Sequence, residues 1–359
     1  MKISDAKRGK IMKKEIKCVI WDLDNTIWEG VLLESPDVQL RPGIVEIITE
    51  LDSRGILHSI ASKNNFDLAY DKLREFGIAD YFLYPQINWN AKSANVSVIQ
   101  KEINIGMDTL LFIDDQPFER DEVRSVHPEV TCMSETEYTN LLDHPRLKPK
   151  FITEDSKRRR HMYMEDMKRN QEEQAFVGPQ ESFLASLEMK FIISEAQEED
   201  LKRAEELTVR TNQLNSTGIT YDYDELNAFR TNEKYKLLVC ELTDKYGSYG
   251  KIGLALVEIT EEAWHVKLLL MSCRVMSRGV GTVLLSHIMQ EAKEEGKILL
   301  ADFQKTDRNR MMYATYRFAN FQEISSDDDG HVVFKNDLSM IQPFPPYIYV
   351  KVNHALKKR

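Results

Sequence analysis

The stretch that decides the fold lies near the N-terminus and reads Val19-Ile20-Trp21-Asp22-Leu23-Asp24-Asn25-Thr26-Ile27-Trp28. An apolar run ends here in two aspartates, Asp22 and Asp24, separated by one residue. Because successive side chains of a strand point to opposite faces, both carboxylates can point the same way at the strand's carboxyl end. Open α/β sheets bind their ligands at that edge. The pattern therefore predicts a partner for the carboxylates, such as Mg²⁺ or a phosphoryl group. The alternative is a pair of loop carboxylates that cap a helix.

Short apolar runs alternate with helical stretches in the first part of the chain. Residues 18–21, 56–61 and 109–113 are predicted strands, and residues 43–53 and 66–76 are predicted helices. This alternation is typical of the α/β class, in which a parallel sheet carries helices on both faces.

The second part of the chain has a different pattern. Strand-like segments cover residues 236–242, 252–259 and 264–271, and a glycine-containing turn leads into a helical run over 282–296. We expect an α+β unit there. The predicted divisions are a tail, a parallel-sheet domain, a charged helical connector and a second domain, over residues 1–15, 16–145, 146–180 and 181–359.

Composition and charge exclude several classes of protein. The 359 residues carry 48 basic and 58 acidic side chains, a net charge of −10 that argues against general nucleic-acid binding. No apolar run approaches the ~20 residues that span a bilayer, so we expect no membrane partner. The basic, polar N-terminus lacks the apolar core of a secretory signal. Four scattered cysteines indicate a reduced, cytoplasmic chain.

The segment Asp22-Leu23-Asp24-Asn25-Thr26 resembles the DxDxT signature of the haloacid dehalogenase (HAD) phosphatases. The resemblance implies that Asp22 attacks phosphorus to give an aspartyl-phosphate, and that Asp24 serves as general acid and base. It also implies that Mg²⁺ is the cofactor. The residues it assigns to Mg²⁺ are Asp22, Asp24 and Asp114, with Asp115 as an assisting group, and those it assigns to the phosphoryl group are Ser62, Asn64 and Lys92.

The spacing of these motifs bears on access to the site. HAD phosphatases usually carry a cap domain after the first motif or between the second and third. Only the 17 residues from Asn25 to Arg41 separate Asp24 from Pro42 and Gly43. The gap from Ser62 to Lys92 holds little more than a helix and a strand. We therefore predict a HAD-type domain without a large cap, whose open site admits a bulky or protein-tethered substrate.

A second motif follows the strand-like run that ends at Met271. Arg274-x-x-Ser277-x-Gly279, next to Arg278, resembles the loop by which GNAT acyltransferases hold the pyrophosphate and pantetheine arm of an acyl thioester. Ser277 replaces the usual glycine, which fits a carrier-protein phosphopantetheine better than coenzyme A.

Cys273 stands just before this loop, and its residue type leaves two readings open. It is either a small buried apolar side chain or a nucleophile whose pKa is lowered by Arg274 and a helix N-terminus. Cys240 is interpreted as structural.

The FkbH-like family combines both parts, a capless HAD domain fused to a GNAT-like domain. The resemblance rests on Asp22–Val31, Ser62–Asn65, Phe112–Asp115, Arg210–Asn215, Asp244–Gly250 and Ser272–Val275. It implies loading of a glyceryl unit from 1,3-bisphosphoglycerate onto an acyl carrier protein in polyketide or nonribosomal peptide biosynthesis. The phosphopantetheine arm of the carrier would be the acyl acceptor.

Within this resemblance Cys273 accepts the glyceryl group, and Asp22 removes the remaining phosphate. Four residues are candidates for lining the acyl site, although a polar helix end explains them equally well: Arg210, Thr211, Asn212 and Asn215. The basic run Lys157–Arg160 is either a carrier-steering patch or a solvated connector. A phosphatase with a non-catalytic carrier- or CoA-binding domain, and a non-enzymatic docking scaffold, are the alternatives.

Overall fold

A computed structural model describes residues 14–353, except for the side chain of Ser277. The chain divides into two compact units between Asp166 and Met167, which lies within the predicted connector. Residues 1–13 of the predicted tail and residues 354–359 lie outside the described residues. In the described part of the chain, no helix is long and apolar enough to cross a membrane.

The first unit is built from strands and helices that alternate along the chain. Its strands are β1 Cys18–Trp21, β2 Trp28–Glu29, β3 Gln39–Leu40, β4 Leu57–Ser62, β5 Gln86–Ile87, β6 Leu110–Asp114 and β7 Thr131–Ser134. Its helices are α1 Ile44–Ser53, α2 Phe66–Glu75, α3 Lys92–Ile103, α4 Pro117–Val126 and α5 Glu154–Lys157. Helix α6, Arg159–Ala175, contains the boundary between the units.

The main sheet of this unit has the order β5-β4-β1-β6-β7, and all of its neighbouring strands are parallel. Strand β1 lies in the middle, and all four of its side chains are buried, which explains why it reads as an unbroken apolar run. In register, Trp21 stands beside Ile60 of β4 and Ile113 of β6. The residues that follow these strands therefore share the carboxyl edge of the sheet.

The gaps that could hold a cap are short. Residues 25–41 contain only the small antiparallel pair of β2 and β3, and residues 62–92 contain α2, one 3₁₀ turn and β5. These described segments confirm the prediction of an α/β unit without a large cap.

The second unit is a mixed α+β structure. Its strands are β8 Met189–Glu195, β9 Tyr235–Asp244, β10 Gly247–Ile259, β11 Ala263–Met271, β12 Ile298–Gln304, β13 Gln322–Ser326, β14 His331–Asn336 and β15 Ile348–Asn353. Its helices are α7 Gln180–Ser186, α8 Leu201–Arg210, α9 Tyr223–Arg230, α10 Val283–Glu294 and α11 Arg310–Phe318. The sheet order is β13-β14-β12-β11-β10-β9-β8-β15.

Most pairs in this sheet are antiparallel, but β11 pairs with β12 in parallel and only over Ala263–Val266. Beyond that point the segment 214–216 bonds to both strands. The backbone N–H groups of Ser216 and Met271 donate to Leu269 and Leu214 respectively, each at 2.9 Å. The N–H of Gln304 in β12 donates to the Ser216 carbonyl at 2.9 Å. The chain itself thus fills the gap between the two strands.

Both faces of this sheet are covered by apolar residues of helices. On one face α10 contributes Leu284, Leu285 and Ile288 to a large core, and on the other Leu201 of α8 and Leu226 of α9 belong to a smaller one. This arrangement confirms the expected α+β class of the second part of the chain.

Candidate active site

The predicted phosphatase residues lie at one edge of the parallel sheet. Asp22 follows β1 directly, Ser62 ends β4, and Asp114 ends β6. Lys92 opens α3 just after β5. The backbone N–H of Asp22 donates to the Ile113 carbonyl at 2.9 Å, which fixes the first aspartate against the neighbouring strand.

The Lys92 ammonium is the hub of this group. Its Nζ donates to Asp22 Oδ1 at 2.6 Å, to Asp114 Oδ2 at 2.9 Å and to the Ala61 carbonyl at 2.9 Å. It also pairs with Glu119 Oε2 at 2.9 Å. Although burial alone would lower the pKa of Lys92, the three surrounding carboxylates raise it above its usual range. The lysine therefore stays charged inside the protein.

Three carboxylates form a group suited to a metal ion. Ligand oxygens of Asp22, Asp114 and Asp115 lie within 4.8 Å of one another. Burial, followed by the charge of Asp22, raises the pKa of Asp114 to about 7. Crowded buried carboxylates and an all-oxygen donor set match the requirements of a hard cation such as Mg²⁺. These residues would hold Mg²⁺, and the bound cation would neutralise negative charge beside Asp22.

The carboxylate of Asp24, a predicted metal ligand, is surrounded by hydrogen-bond donors. Its Oδ1 accepts from Trp28 Nε1 at 2.8 Å and from the Leu32 backbone N–H at 3.1 Å. Its Oδ2 accepts from Asn64 Nδ2 at 3.0 Å. The structure thus groups Asp115, rather than the predicted Asp24 carboxylate, with the metal-type oxygens. Burial is the main cause that raises the pKa of Asp24, which suits a proton donor.

The predicted phosphate-binding residues take separate places. Ser62 is buried at the end of β4. Asn64 is also buried. Its Nδ2 donates to Asp24 Oδ2, and its Oδ1 accepts from the Asn65 backbone N–H at 2.8 Å. Asn64 therefore positions Asp24. Its two hydrogen bonds orient the side chain toward Asp24 and Asn65 rather than toward a phosphate. Sequence reasoning missed Glu119, because nothing in a helix glutamate signals a contact with a lysine 27 residues earlier.

In the second unit, Cys273 lies in a 3₁₀ turn at the end of β11 and is half-buried. The preceding Ser272 N–H donates to the Ile252 carbonyl at 2.6 Å. Arg274 Nη2 donates to the Tyr249 carbonyl at 3.0 Å, so this guanidinium ties the turn to β10.

Residues of the predicted pantetheine loop contact other side chains of the same unit. Arg278 is buried, and its guanidinium donates to Glu173 Oε2 at 2.9 Å and to Asn170 Oδ1 at 3.1 Å. Gly279 adopts φ of +69°, and the Tyr347 hydroxyl lies where a Cβ would stand. The Arg278 guanidinium is therefore bonded within its own unit, and position 279 has no room for a side chain. The side chain of Ser277 lies outside the described residues.

Two of the predicted acyl-site residues, Thr211 and Asn215, are buried. Asn215 is fully buried: its Oδ1 accepts from the Thr217 and Gly218 N–H groups at 3.1 and 2.9 Å, and its amide donates to the Thr211 carbonyl at 3.3 Å. Arg210 Nε pairs with Glu206 at 3.2 Å, and Asn212 is exposed. The structure favours the alternative of a polar helix end for Thr211 and Asn215, because α8 ends at Arg210.

Comparison with known proteins gives similarities to solved structures. No family model and no curated protein matches the sequence. The N-terminal part of the protein BF1531 from Bacteroides fragilis, containing a phosphatase domain complexed with Mg, is 32% identical, with 38% of this chain and 41% of that chain covered and a TM-score of 0.34. This chain therefore spans less than half of that structure's length.

Two further similarities are to acetyltransferases. The ribosomal-protein-S18-alanine N-acetyltransferase from Escherichia coli is 16% identical, with 43% of this chain and 97% of that chain covered and a TM-score of 0.34. The putative acetyltransferase yncA from Salmonella typhimurium, solved with acetyl-CoA, is 18% identical, with 43% and 96% covered and a TM-score of 0.33.

Proposed function

We propose that the first unit is a Mg²⁺-dependent phosphatase that works through Asp22. The observation that carries this proposal is the single Lys92 ammonium held between Asp22 and Asp114 at the carboxyl edge of the sheet. A nucleophilic carboxylate, a fixed cation and a group of metal-type oxygens are what phosphoryl transfer to an aspartate requires.

The proposed chemistry uses these side chains in two steps. An oxygen of Asp22 attacks phosphorus, the bond from phosphorus to the leaving oxygen breaks, and the Asp24 carboxyl gives its proton to that oxygen. Water then attacks the aspartyl-phosphate, Asp24 takes the proton of the water, and phosphate leaves. Asn64 and Trp28 hold Asp24 in place for both proton transfers. When bound, Mg²⁺ would offset the charge of the phosphoryl oxygens.

We further propose that the substrate is 1,3-bisphosphoglycerate and that the product is a glyceryl thioester on an acyl carrier protein. The Cys273 thiolate attacks the acyl carbon, and the acyl–oxygen bond to phosphate breaks. The thiol of the carrier phosphopantetheine then displaces Cys273 and takes the glyceryl group, while the Asp22 site removes the 3-phosphate. Two features support this: the capless edge admits a protein-tethered substrate, and Cys273 lies in a turn at a strand end.

A second candidate is a phosphatase whose second unit has no acyl-transfer role. The burial of Arg278 and Asn215 favours it, because neither side chain is presented to a pantetheine arm. The two candidates differ in whether Cys273 is needed.

Intact mass spectrometry distinguishes them. The full chain is incubated with Mg²⁺, 1,3-bisphosphoglycerate and a phosphopantetheinylated carrier, and the carrier is weighed. We expect a glyceryl adduct with the wild type, a phosphoglyceryl adduct with Asp22→Asn, and no adduct with Cys273→Ala. Phosphate release that persists in Cys273→Ala but is lost in Asp22→Asn, without an adduct in any arm, would support the second candidate. The control is Cys240→Ala, which replaces a buried cysteine and should leave the adduct unchanged.

A further inference from the structure

Glu119 links two lysines at the phosphatase site. It stands in the first turn of α4, and its side chain is 8% exposed. Its Oε2 pairs with Lys92 Nζ at 2.9 Å, and its Oε1 pairs with Lys63 Nζ at 2.7 Å. Although burial raises the pKa of Glu119, the two ammonium groups hold it below its usual range. One buried carboxylate thus sets the position of both cations.

Lys63 belongs to the site by its place in the chain. It lies between Ser62, the last residue of β4, and Asn64, whose amide bonds to Asp24. Its side chain is 39% exposed, whereas that of Lys92 is 2% exposed. The Lys63 side chain therefore reaches solvent at the carboxyl edge of the sheet, the edge at which open α/β sheets bind their ligands.

The charge balance of the site shows what Lys63 can do. Four carboxylates contact Lys92 or belong to the metal-type group: Asp22, Asp114, Asp115 and Glu119. Two ammonium groups offset half of this charge, and one divalent cation would offset the rest. An incoming phosphate brings about two further negative charges. Lys92 already contacts three carboxylates, so Lys63 is the lysine of the pair with a face open to an anion.

We propose that Lys63 binds the phosphate group of the substrate, and that Glu119 is the positioning residue that holds Lys63 at the mouth of the site. The substrate class, a phosphorylated small molecule or a phosphorylated group on a carrier, rests on the proposed phosphatase function. The binding role of Lys63 does not depend on turnover, because it concerns an anion at the edge of the sheet.

Calorimetric titration of the full chain with inorganic phosphate in the presence of Mg²⁺ tests this role. We expect Lys63→Gln to weaken phosphate binding by about tenfold, the usual loss for one charge-assisted hydrogen bond. Lys63→Arg should restore most of the affinity, and Glu119→Gln should weaken binding in the same direction. The matched control is Lys148→Gln, because Lys148, whose side chain is 53% exposed, pairs with Asp143 at 2.8 Å on the surface; the phosphate affinity of this variant should equal that of the wild type.

Wild-type affinity in Lys63→Gln, or no phosphate binding by the wild-type chain, would overturn the proposal for Lys63. Unchanged binding in Glu119→Gln would overturn the positioning role. Turnover then separates this inference from the proposed function. Phosphate binding that depends on Lys63, without release of phosphate from any phosphorylated substrate, would reject the phosphatase and keep the binding site. Where turnover occurs, Lys63→Gln should raise KM for the substrate more than it lowers kcat.

Discussion

At the scale of single residues, the proposed phosphatase site depends on an unequal distribution of charge. Lys92 is buried among the carboxylates of Asp22, Asp114 and Glu119. Buried carboxylates repel one another strongly unless a cation lies between them. The same lysine that would stabilise a phosphoryl group therefore also holds the folded site together.

Replacing Lys92 with Met should lower the free energy of unfolding by about 3–5 kcal/mol at pH 7, because it leaves buried carboxylates without their cation. The loss should shrink at pH 5, where Asp114, whose pKa is raised to about 7, is protonated. Urea unfolding of the metal-free protein measures both values. Lys148→Met, which breaks an exposed pair with Asp143, should cost far less than Lys92→Met. Equal losses in the two variants would contradict the role of Lys92.

Binding of Mg²⁺ should depend on pH through Asp114. Burial and the charge of Asp22 raise the pKa of Asp114 to about 7, so a proton must leave before the metal binds. We expect the apparent Mg²⁺ affinity to fall by roughly tenfold per pH unit below about 7 and to level off above it. Calorimetry between pH 5.5 and 8 measures this, and a flat profile would be inconsistent with the assignment.

The same pKa has a consequence for the stability of the metal-free protein. A carboxyl whose folded-state pKa is raised binds its proton more tightly in the folded than in the unfolded state. Its contribution to stability is therefore full at low pH and is lost as pH rises from about 4 to about 7. In Asp114→Asn this part of the pH dependence should disappear.

At the scale of secondary-structure elements, the parting of β11 and β12 is the main feature of the second unit. The segment 214–216 bonds to both strands where their own pairing ends. Asn309 completes the arrangement: its Nδ2 donates to the Asn215 and Gln304 carbonyls at 3.0 and 2.8 Å, and its Oδ1 accepts from the Thr306 N–H at 2.9 Å. Backbone groups at the strand edges that would otherwise lack partners are thereby hydrogen-bonded.

Removing the side-chain amide of Asn309 should loosen the segment 214–216. We expect Asn309→Ala to lower the free energy of unfolding by about 2–3 kcal/mol, since several buried backbone groups lose their partner. Asn232→Ala, in an exposed turn, serves as the control. Thermal and urea unfolding measure the difference. A neutral Asn309→Ala with altered acyl transfer would instead make this asparagine a site residue.

At the scale of the whole molecule, each compact unit has its own hydrophobic core. Trp21, Ile60 and Ile113 belong to the core of the first, and Trp264 and Phe334 to that of the second. Units with separate cores commonly unfold in separate steps.

Differential scanning calorimetry should accordingly show two transitions. Because the metal-type oxygens all lie in the first unit, Mg²⁺ should raise the Tm of one transition only, through its binding to the folded state. Asp114→Asn should abolish that shift and leave the other transition unchanged. A common shift of both transitions with Mg²⁺ would show that the units unfold as one.

Much of the fold and part of the site could be predicted from the sequence because they depend on local pattern. The buried run before Asp22 predicted the central strand. Ser62 and Asp114, the last residues of β4 and β6, stand at the predicted strand ends. Strand and helix periods are short-range properties, and polar residues at the ends of apolar runs mark the edge where parallel strands finish.

The partners of the site residues came only from the tertiary structure. Glu119 meets Lys63 and Lys92 because α4, the loop after β4 and the start of α3 come together in three dimensions, which no spacing in the chain encodes. In the second unit the motif residues Arg278 and Asn215 bond to groups of their own unit. A sequence shows which side chains can bind a phosphate or an acyl arm. Whether they are free to do so is decided by long-range packing, which chooses their hydrogen-bond partners.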